Sequence, residues 1–527
     1  MGIALKNMKG KEEVLRMRND PVLVSGGTGY VGGRLVPLLL DSGYRVRVLG
    51  RSLSKLASRP WAGHKNVELV KGDFMDYASL EKAAKGCWAA FYLVHSMNPR
   101  HKDFAQADRD AAGNMAKAAS AASLERIIYL GGLGVEGKTL SKHLRSRTEV
   151  ARILQSGDVP TTFLRAAMIL GSGSASFEMM RYLTERLPVM ITPRWVQNQV
   201  QPIAIRNVLG YLKGCLEHDE TLGGTFDIGG PDIMTYKQLM QTYAEVAGLK
   251  KRWIIGVPVL TPRLSSYWVH LVTPVPSHIA KPLAEGLRNP VICQENRIRS
   301  IIPQDLQDCR ETFRLALGKV KEKCVETCWA DAGPIDYPEW AQCGDVPYAG
   351  GTVLESGYRI SLDAEPHAVW QSIVRIGGKR GWYSSQFLWA LRGLIDRVSG
   401  GMGLRRGRLD PVHLRPGDPV DFFRVLEVRE AELLSLLSEM KLPGEATLEY
   451  RLYDLPEGGT ELQQLSRFLP KGLSGLCYWY ILYPFHQFVF KGMLKGIARS
   501  VGKPILDAPD RFAPRLPHVC RIDPTTR

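Results

Sequence analysis

The chain has 527 residues but only nine cysteines, and no two form a Cys-x-x-Cys pair. So few, so scattered, cannot staple a disulfide scaffold, and they suit a reducing, cytoplasmic setting. Cys309, Cys324, Cys328 and Cys343 fall in one segment, yet their spacing fits no zinc module, and no metal site is expected. Basic runs are also missing. The excess of 69 Lys and Arg over 53 Asp and Glu is spread along the chain. That pattern argues against a nucleic-acid-binding arm and for a basic cytosolic enzyme whose ligands are anionic. Residues 1–19 form a mixed-charge extension without the apolar heart of a signal peptide. Leu476 to Phe490, the longest apolar stretch, spans about 15 residues and is too short to cross a bilayer comfortably.

What is present begins at Val22. Val22-Leu23-Val24 reads as a short buried strand, and Gly26, Gly29 and Gly32 follow at fixed spacing before a helical pattern opens near Leu35. A strand turning sharply into a helix gathers free backbone N–H groups and the positive end of the helix dipole in one place, which suits a phosphate. In this pattern Gly26 permits the tight turn, Gly29 lets a pyrophosphate approach the backbone, and Gly32 lets the helix pack on the strand. Thr28, Tyr30 and Val31 complete the loop.

Strand-like and helix-like segments then alternate to about residue 170. The strands are expected at Val22–Val24, 45–49, 67–70, 89–94, 126–130 and 161–164. Such alternation implies an α/β fold, a Rossmann-type doubly wound parallel sheet. Pro37 falls inside the first helix and is expected to bend it. The dinucleotide-binding domain is placed at 20–300. It includes a Pro-punctuated apolar segment from Pro258 to Pro282 that reads equally as a substrate lid or as plain packing. A connector is placed at 301–350, an α+β domain at 351–505 and a tail at 506–527.

Second-strand chemistry narrows the cofactor. No acid occurs from Arg45 to Arg59, where an NAD-specific fold places one for the ribose 2′-OH, and Arg51 suits a 2′-phosphate instead. NADP(H) is therefore expected, with NAD(H) as the alternative. Asp73 is a candidate acceptor for the adenine amino group and Phe74 a candidate surface for the base. Leu93 and His95 end the fourth strand, at the sheet edge where ligands bind in this fold.

Ser25 to Gly32, Arg51 and Gly72-Asp73 together resemble the atypical and extended short-chain dehydrogenase/reductase superfamily. Within it, the chain is similar to NmrA-like proteins and to the Rossmann-type accessory subunit of respiratory complex I. Tyr92-Leu93-Val94-His95-Ser96-Met97 resembles a bacterial group in which such a domain is joined to a C-terminal domain of unknown function. The superfamily's usual catalytic groups are a Tyr and a Lys four residues apart, with a Ser upstream. Here His143 stands at the Tyr position and Arg147 at the Lys position, and Tyr129 to Gly134 supplies no Ser. His143 can donate a proton near neutral pH, with Arg147 holding ribose or phosphate. Alternatively the site binds NADP(H) and does little chemistry, as in a regulator or assembly factor.

The C-terminal domain resembles helix-grip folds of the START or polyketide-cyclase kind, with strand, helix, antiparallel meander and long closing helix. Trp382, Tyr383, Trp389, Tyr478, Trp479, Tyr480, Phe485 and Phe488 are expected to line a ligand cavity or fill a core. The expected partner is a small apolar substrate or ligand and not nucleic acid. The Tyr478–Phe490 face, with Lys491 and Lys495 beside it, is a candidate for peripheral membrane or protein-complex contact.

Overall fold

The computed structural model describes residues 19–94, 104–134, 142–257, 285–286, 290–321, 353–401, 403–408 and 410–512. The chain divides into two compact units, 1–334 and 335–527.

The first unit is built on seven parallel strands: β1 (Val22–Ser25), β2 (Val46–Gly50), β3 (Val67–Lys71), β4 (Ala89–Tyr92), β5 (Arg126–Gly132), β6 (Thr161–Ala166) and β7 (Thr225–Ile228). Their spatial order is β7-β6-β5-β4-β1-β2-β3, so the order reverses between β1 and β4. Alternation along each strand separates two cores. Val22, Val24, Val46 and Val48 face one cluster, while Leu23, Leu49, Ala90 and Tyr92 face the other. Helix α1 (Gly32–Asp41) contributes Leu35, Val36 and Leu39 to the first cluster and runs on through Pro37. Helices α2 (Leu53–Ala57), α3 (Tyr77–Ala84), α4 (Phe104–Ala121) and α5 (Lys142–Gln155) link the strands that follow. Small Ala side chains at 111, 112, 118 and 119 bury α4 closely against the second cluster.

The expected strands and helices of this unit are present. Three further helices, α6 (Ala175–Arg186), α7 (Ile205–Glu217) and α8 (Tyr236–Val246), follow. Of the connector, helix α9 (Cys309–Lys321) is described. The Pro-punctuated segment and Cys324, Cys328 and Cys343 lie outside the described residues.

The second unit is an antiparallel sheet wrapped on a helix. Its strands are β8 (Leu354–Leu362), β9 (Pro419–Val420), β10 (Phe423–Arg429), β11 (Leu433–Ser438), β12 (Gly444–Asp454), β13 (Thr460–Pro470) and β14 (Ile505–Phe512), ordered β9-β10-β11-β12-β13-β8-β14. Helices α10 (Pro366–Ile373), α11 (Gln386–Val398) and α12 (Gly472–Val501) accompany them. Ile360 and Leu362, with Leu448, Tyr450 and Leu452, point from the sheet to Val489, Phe490, Met493 and Ile497 of α12. This is the helix-grip arrangement. Trp382 lies flat on Phe422 at 5.7 Å, and its indole N–H donates to Asp421 Oδ2 at 2.9 Å.

Three features depart from the sequence reading. Helix α11 was not foreseen, because its apolar residues face outward. Strand β14 falls in the stretch read as a tail, and it pairs with β8. Of the aromatics expected to line an interior, Tyr480, Phe485 and Phe488 are exposed, since they lie on the side of α12 turned from the sheet.

His486 is stacked on Phe490 at 5.1 Å and edge-on to Trp479 at 5.2 Å, and burial pushes its pKa down from 6.5 to about 4. Its Nδ1 is buried without a hydrogen-bond partner among the described residues. The unfolded imidazole takes up a proton below pH 6.5 and the folded one only near 4. Stability is therefore full above 6.5 and falls as pH drops through that window. Denaturant unfolding at pH 7 and pH 5 should differ by about 1–2 kcal/mol more in the wild type than in His486→Leu.

Candidate functional site: a dinucleotide cradle

The reversal between β1 and β4 opens a crevice at the strands' carboxyl ends, and the glycine loop lies across it. Ser25, wholly buried, ends β1. Its hydroxyl donates to the Phe91 carbonyl at 2.7 Å and accepts from the Leu93 N–H at 2.9 Å, tying the two strand ends together. Gly26 follows with φ +70°, in the left-handed region, and a Cβ there would lie 2.8 Å from the Leu93 carbonyl oxygen. The Gly29 N–H closes the turn on the Gly26 carbonyl at 2.8 Å. A Cβ on Gly32 would lie 2.3 Å from that same oxygen. The first turn of α1 is thus packed against the turn's own backbone, a fit that only glycine allows. Thr28, Gly29, Tyr30 and Val31 are half-buried around it. No acidic residue occupies the first turn of α1 and no side chain caps it, so its positive end is not offset locally.

Tyr30 and Arg34 brace the loop from behind. The Arg34 guanidinium sits 4.7 Å over the Tyr30 ring and donates from Nη2 to the Ser172 carbonyl at 2.8 Å. The turn at Gly171–Ser174, just past the alternating segment, is therefore a support for the loop. Arg34 is buried, and its distance of 138 residues from Ser172 hid that role.

Arg51 is exposed immediately beyond β2, and Ser52 next to it caps α2 by accepting from the Lys55 N–H. Asp73 is half-buried beyond β3. Its Oδ1 accepts from the Met75 N–H at 3.0 Å, and its backbone is held by the Ser79 hydroxyl. Phe74 is buried in the core with its ring edge-on to Tyr92 at 5.2 Å, so it supports the sheet from inside. Leu93 is half-buried at the crevice floor. His95 lies outside the described residues.

Under α5 the structure assembles a polar knot. Tyr129 stacks on Phe163 at 5.0 Å and its hydroxyl donates to the Arg147 carbonyl at 3.4 Å. Ser146 donates to Asp108 Oδ2 at 2.9 Å, and Ser146, Arg147 and Asp108 are all buried. Burial pushes the Tyr129 phenol up, with the Arg147 charge pulling the other way; burial also raises Tyr92. Arg147 thus lies in the interior. His143 is in the first turn of α5, and its side chain lies outside the described residues. Sequence reasoning placed Ser25 in the glycine motif but not its bonds across to β4, and it missed the Asp108–Ser146 pair, whose members are 38 residues apart.

A dinucleotide fits this donor set: the loop passes into the first turn of α1 with no acid and no side-chain cap there, and the close backbone approach at Gly26 and Gly32 leaves no room for a Cβ at either position. Residues 26–185 match the family described as NAD(P)H-binding, and residues 348–493 match one described as a protein of unknown function (DUF2867). The ceramide reductase of Caulobacter vibrioides is 27% identical over 237 residues, covering 44% of this chain and 72% of that protein. A (4-alkanoyl-5-oxo-2,5-dihydrofuran-3-yl)methyl phosphate reductase of Streptomyces griseus is 26% identical over 240 residues, covering 44% and 76%. Photosystem II assembly factor Ycf39 of Trieres chinensis is 23% identical over 231 residues, covering 43% and 69%. The first unit thus carries, at residues 26–185, the match to an NAD(P)H-binding domain. The second, by its match, is a domain of unknown function on a helix-grip-like frame.

Gly32→Ala should force α1 away from the turn. NADPH titration followed by fluorescence should show affinity lowered by about tenfold or more, a loss of ~1.4 kcal/mol, while the second unit's aromatic packing is unchanged by near-UV circular dichroism.

Proposed function

We propose that the first unit is an NADP(H)-dependent reductase acting on an apolar small molecule that bears a carbonyl or equivalent acceptor. One observation carries the reading: the glycine cradle is complete at the β1/β4 crevice, and an exposed Arg51 stands at the end of β2 in a stretch without acids. A guanidinium there matches the 2′-phosphate of NADP(H) in charge and in its forked donors. The reductase names of two relatives agree with this reading.

Bound nicotinamide would supply the hydride. The chain's part is to orient and to handle one proton. The cradle and the α1 dipole would hold the pyrophosphate, and Ser25 keeps the two strand ends in register. A carbonyl carbon that receives a hydride leaves an oxygen needing a proton. His143, in the first turn of α5, is the residue assigned to give it. Arg147 cannot take that role, because guanidinium does not exchange a proton at ordinary pH. It is a buried residue of α5 whose carbonyl accepts from the Tyr129 hydroxyl, so its part is to hold that helix against β5.

A second reading, a non-catalytic NADP(H)-dependent regulator or assembly factor, is favoured by one observation. The usual Tyr and Lys are replaced by His143 and Arg147, and Arg147 lies in the interior. The name of the third relative points the same way. The two readings separate in one assay. NADPH consumption is followed while apolar aldehydes, ketones and quinones are offered. Turnover with wild type that His143→Phe removes, with NADPH affinity kept, supports the reductase. Tight NADPH binding with no turnover across the panel overturns it.

Cofactor choice has its own test. Arg51→Ala should weaken NADPH about tenfold or more and NADH less than about twofold, the cost of one charged 2′-phosphate contact. Equal loss for both would remove Arg51 from the 2′-phosphate.

A further inference from the structure

Two helices of the second unit are amphipathic the wrong way round for a covered core. Helix α11 exposes Phe387, Leu391, Leu394, Ile395 and Val398. Their spacing of four, three, one and three places them on one face. The residues it buries are Gly393 and Asp396. Asp396 is fully buried, with Oδ1 accepting from the Lys441 N–H and Oδ2 from the Gly403 N–H, both at 2.7 Å. Helix α12 repeats the pattern in its first half. Leu473, Tyr480, Ile481, Phe485 and Phe488 are exposed on one stripe, while Trp479 and the later turns pack inward.

The two helices share neighbours at both ends. A Cβ on Gly492 of α12 would lie 2.2 Å from Ser384 Oγ, just before α11. At the other end, the Lys441 amide bonds Asp396 of α11, and the Pro443 carbonyl oxygen is 2.5 Å from a Cβ built on Gly475 of α12. A folded chain rarely leaves so much aliphatic and aromatic surface on neighbouring helices without a use.

Charge selects the occupant. Helix α12 contains no Asp or Glu in its 30 residues and carries Lys491, Lys495 and Arg499. The one acid of α11 is the buried Asp396, whereas Arg392 and Arg397 lie toward its end. Lys441 and Lys471 are exposed at the ends of the adjoining segments. On the two helices themselves the exposed charged groups among the described residues are cationic, and apolar stripes flanked in this way fit a surface that is apolar below and anionic above. No helix among the described residues is long and apolar enough to cross a membrane. We propose that α11 and the first half of α12 seat the protein on an anionic lipid bilayer, with the aromatic and aliphatic side chains in the interface and the lysines and arginines among the headgroups.

The test uses the full chain and sedimentation with vesicles. Wild type should pellet with phosphatidylcholine vesicles containing phosphatidylglycerol and stay in the supernatant with phosphatidylcholine alone. Salt should weaken the binding. Phe387→Ser combined with Phe488→Ser should lower the partition coefficient about tenfold or more, and Lys471→Glu combined with Lys495→Glu by a similar factor. Near-UV circular dichroism of the second unit's aromatic packing, unchanged in both, shows that the variants are folded. If the serine pair does not fold, the charge pair alone decides. Equal binding to both vesicle types overturns the proposal. So does a dimer in size-exclusion chromatography that the serine pair splits while no vesicle is bound, which would make the surface a protein interface.

Discussion

The first unit depends on one contact between backbones. Gly32 of α1 lies against the carbonyl of Gly26, and Gly26 in turn lies against the carbonyl of Leu93. Three chain segments meet there without a side chain between them: the end of β1, the start of α1 and the segment leaving β4. Sheet order, helix direction and the crevice above follow from that meeting. Any methyl group at either glycine would have to push apart elements fixed elsewhere by the buried valines of β1 and β2. The cradle is therefore rigid for structural reasons before any ligand is considered. That rigidity lets backbone N–H groups bind an anion without first being ordered.

Around this point the polar interior is spent on alignment. Ser25 bonds across to β4, Arg34 reaches the turn after residue 170, and Asp108 with Ser146 joins α4 to α5. Each is a buried polar group with a partner, which offsets its desolvation. None of them sits in the positions that the superfamily usually uses for catalysis. Among the described residues the site is firm in how it would hold a dinucleotide and spare in acid–base groups.

Legibility in the sequence followed the range of the interaction. The glycine spacing, the parallel strands and the long closing helix are local patterns of period two, period 3.6 or fixed offset, and they could be read directly. Phe74 was misjudged because a Phe after a strand looks the same whether its ring turns to the crevice or to the core. The polar knot at Tyr129, Asp108, Ser146 and Arg147 joins residues 38 or more apart in one case and a side chain to a carbonyl in another. Helix α11 was invisible for the opposite reason. Its periodicity is helical, but its apolar face points to solvent, so a search for core-facing stripes finds no core for it.

The last described strand shows how much can hang on a segment that looks dispensable. Ile505–Phe512 is joined to the sheet only through β8, and it covers one side of the strand that begins the second unit. A chain ending at Gly502 would keep every helix and the apolar core. It would also leave Gly357–Leu362 of β8 with a row of open backbone donors and acceptors. Such an edge invites the matching edge of another copy, whereas the edge that Ile505–Phe512 presents in its place carries Asp507, Pro509, Asp510 and Arg511, a proline and charges that oppose further pairing.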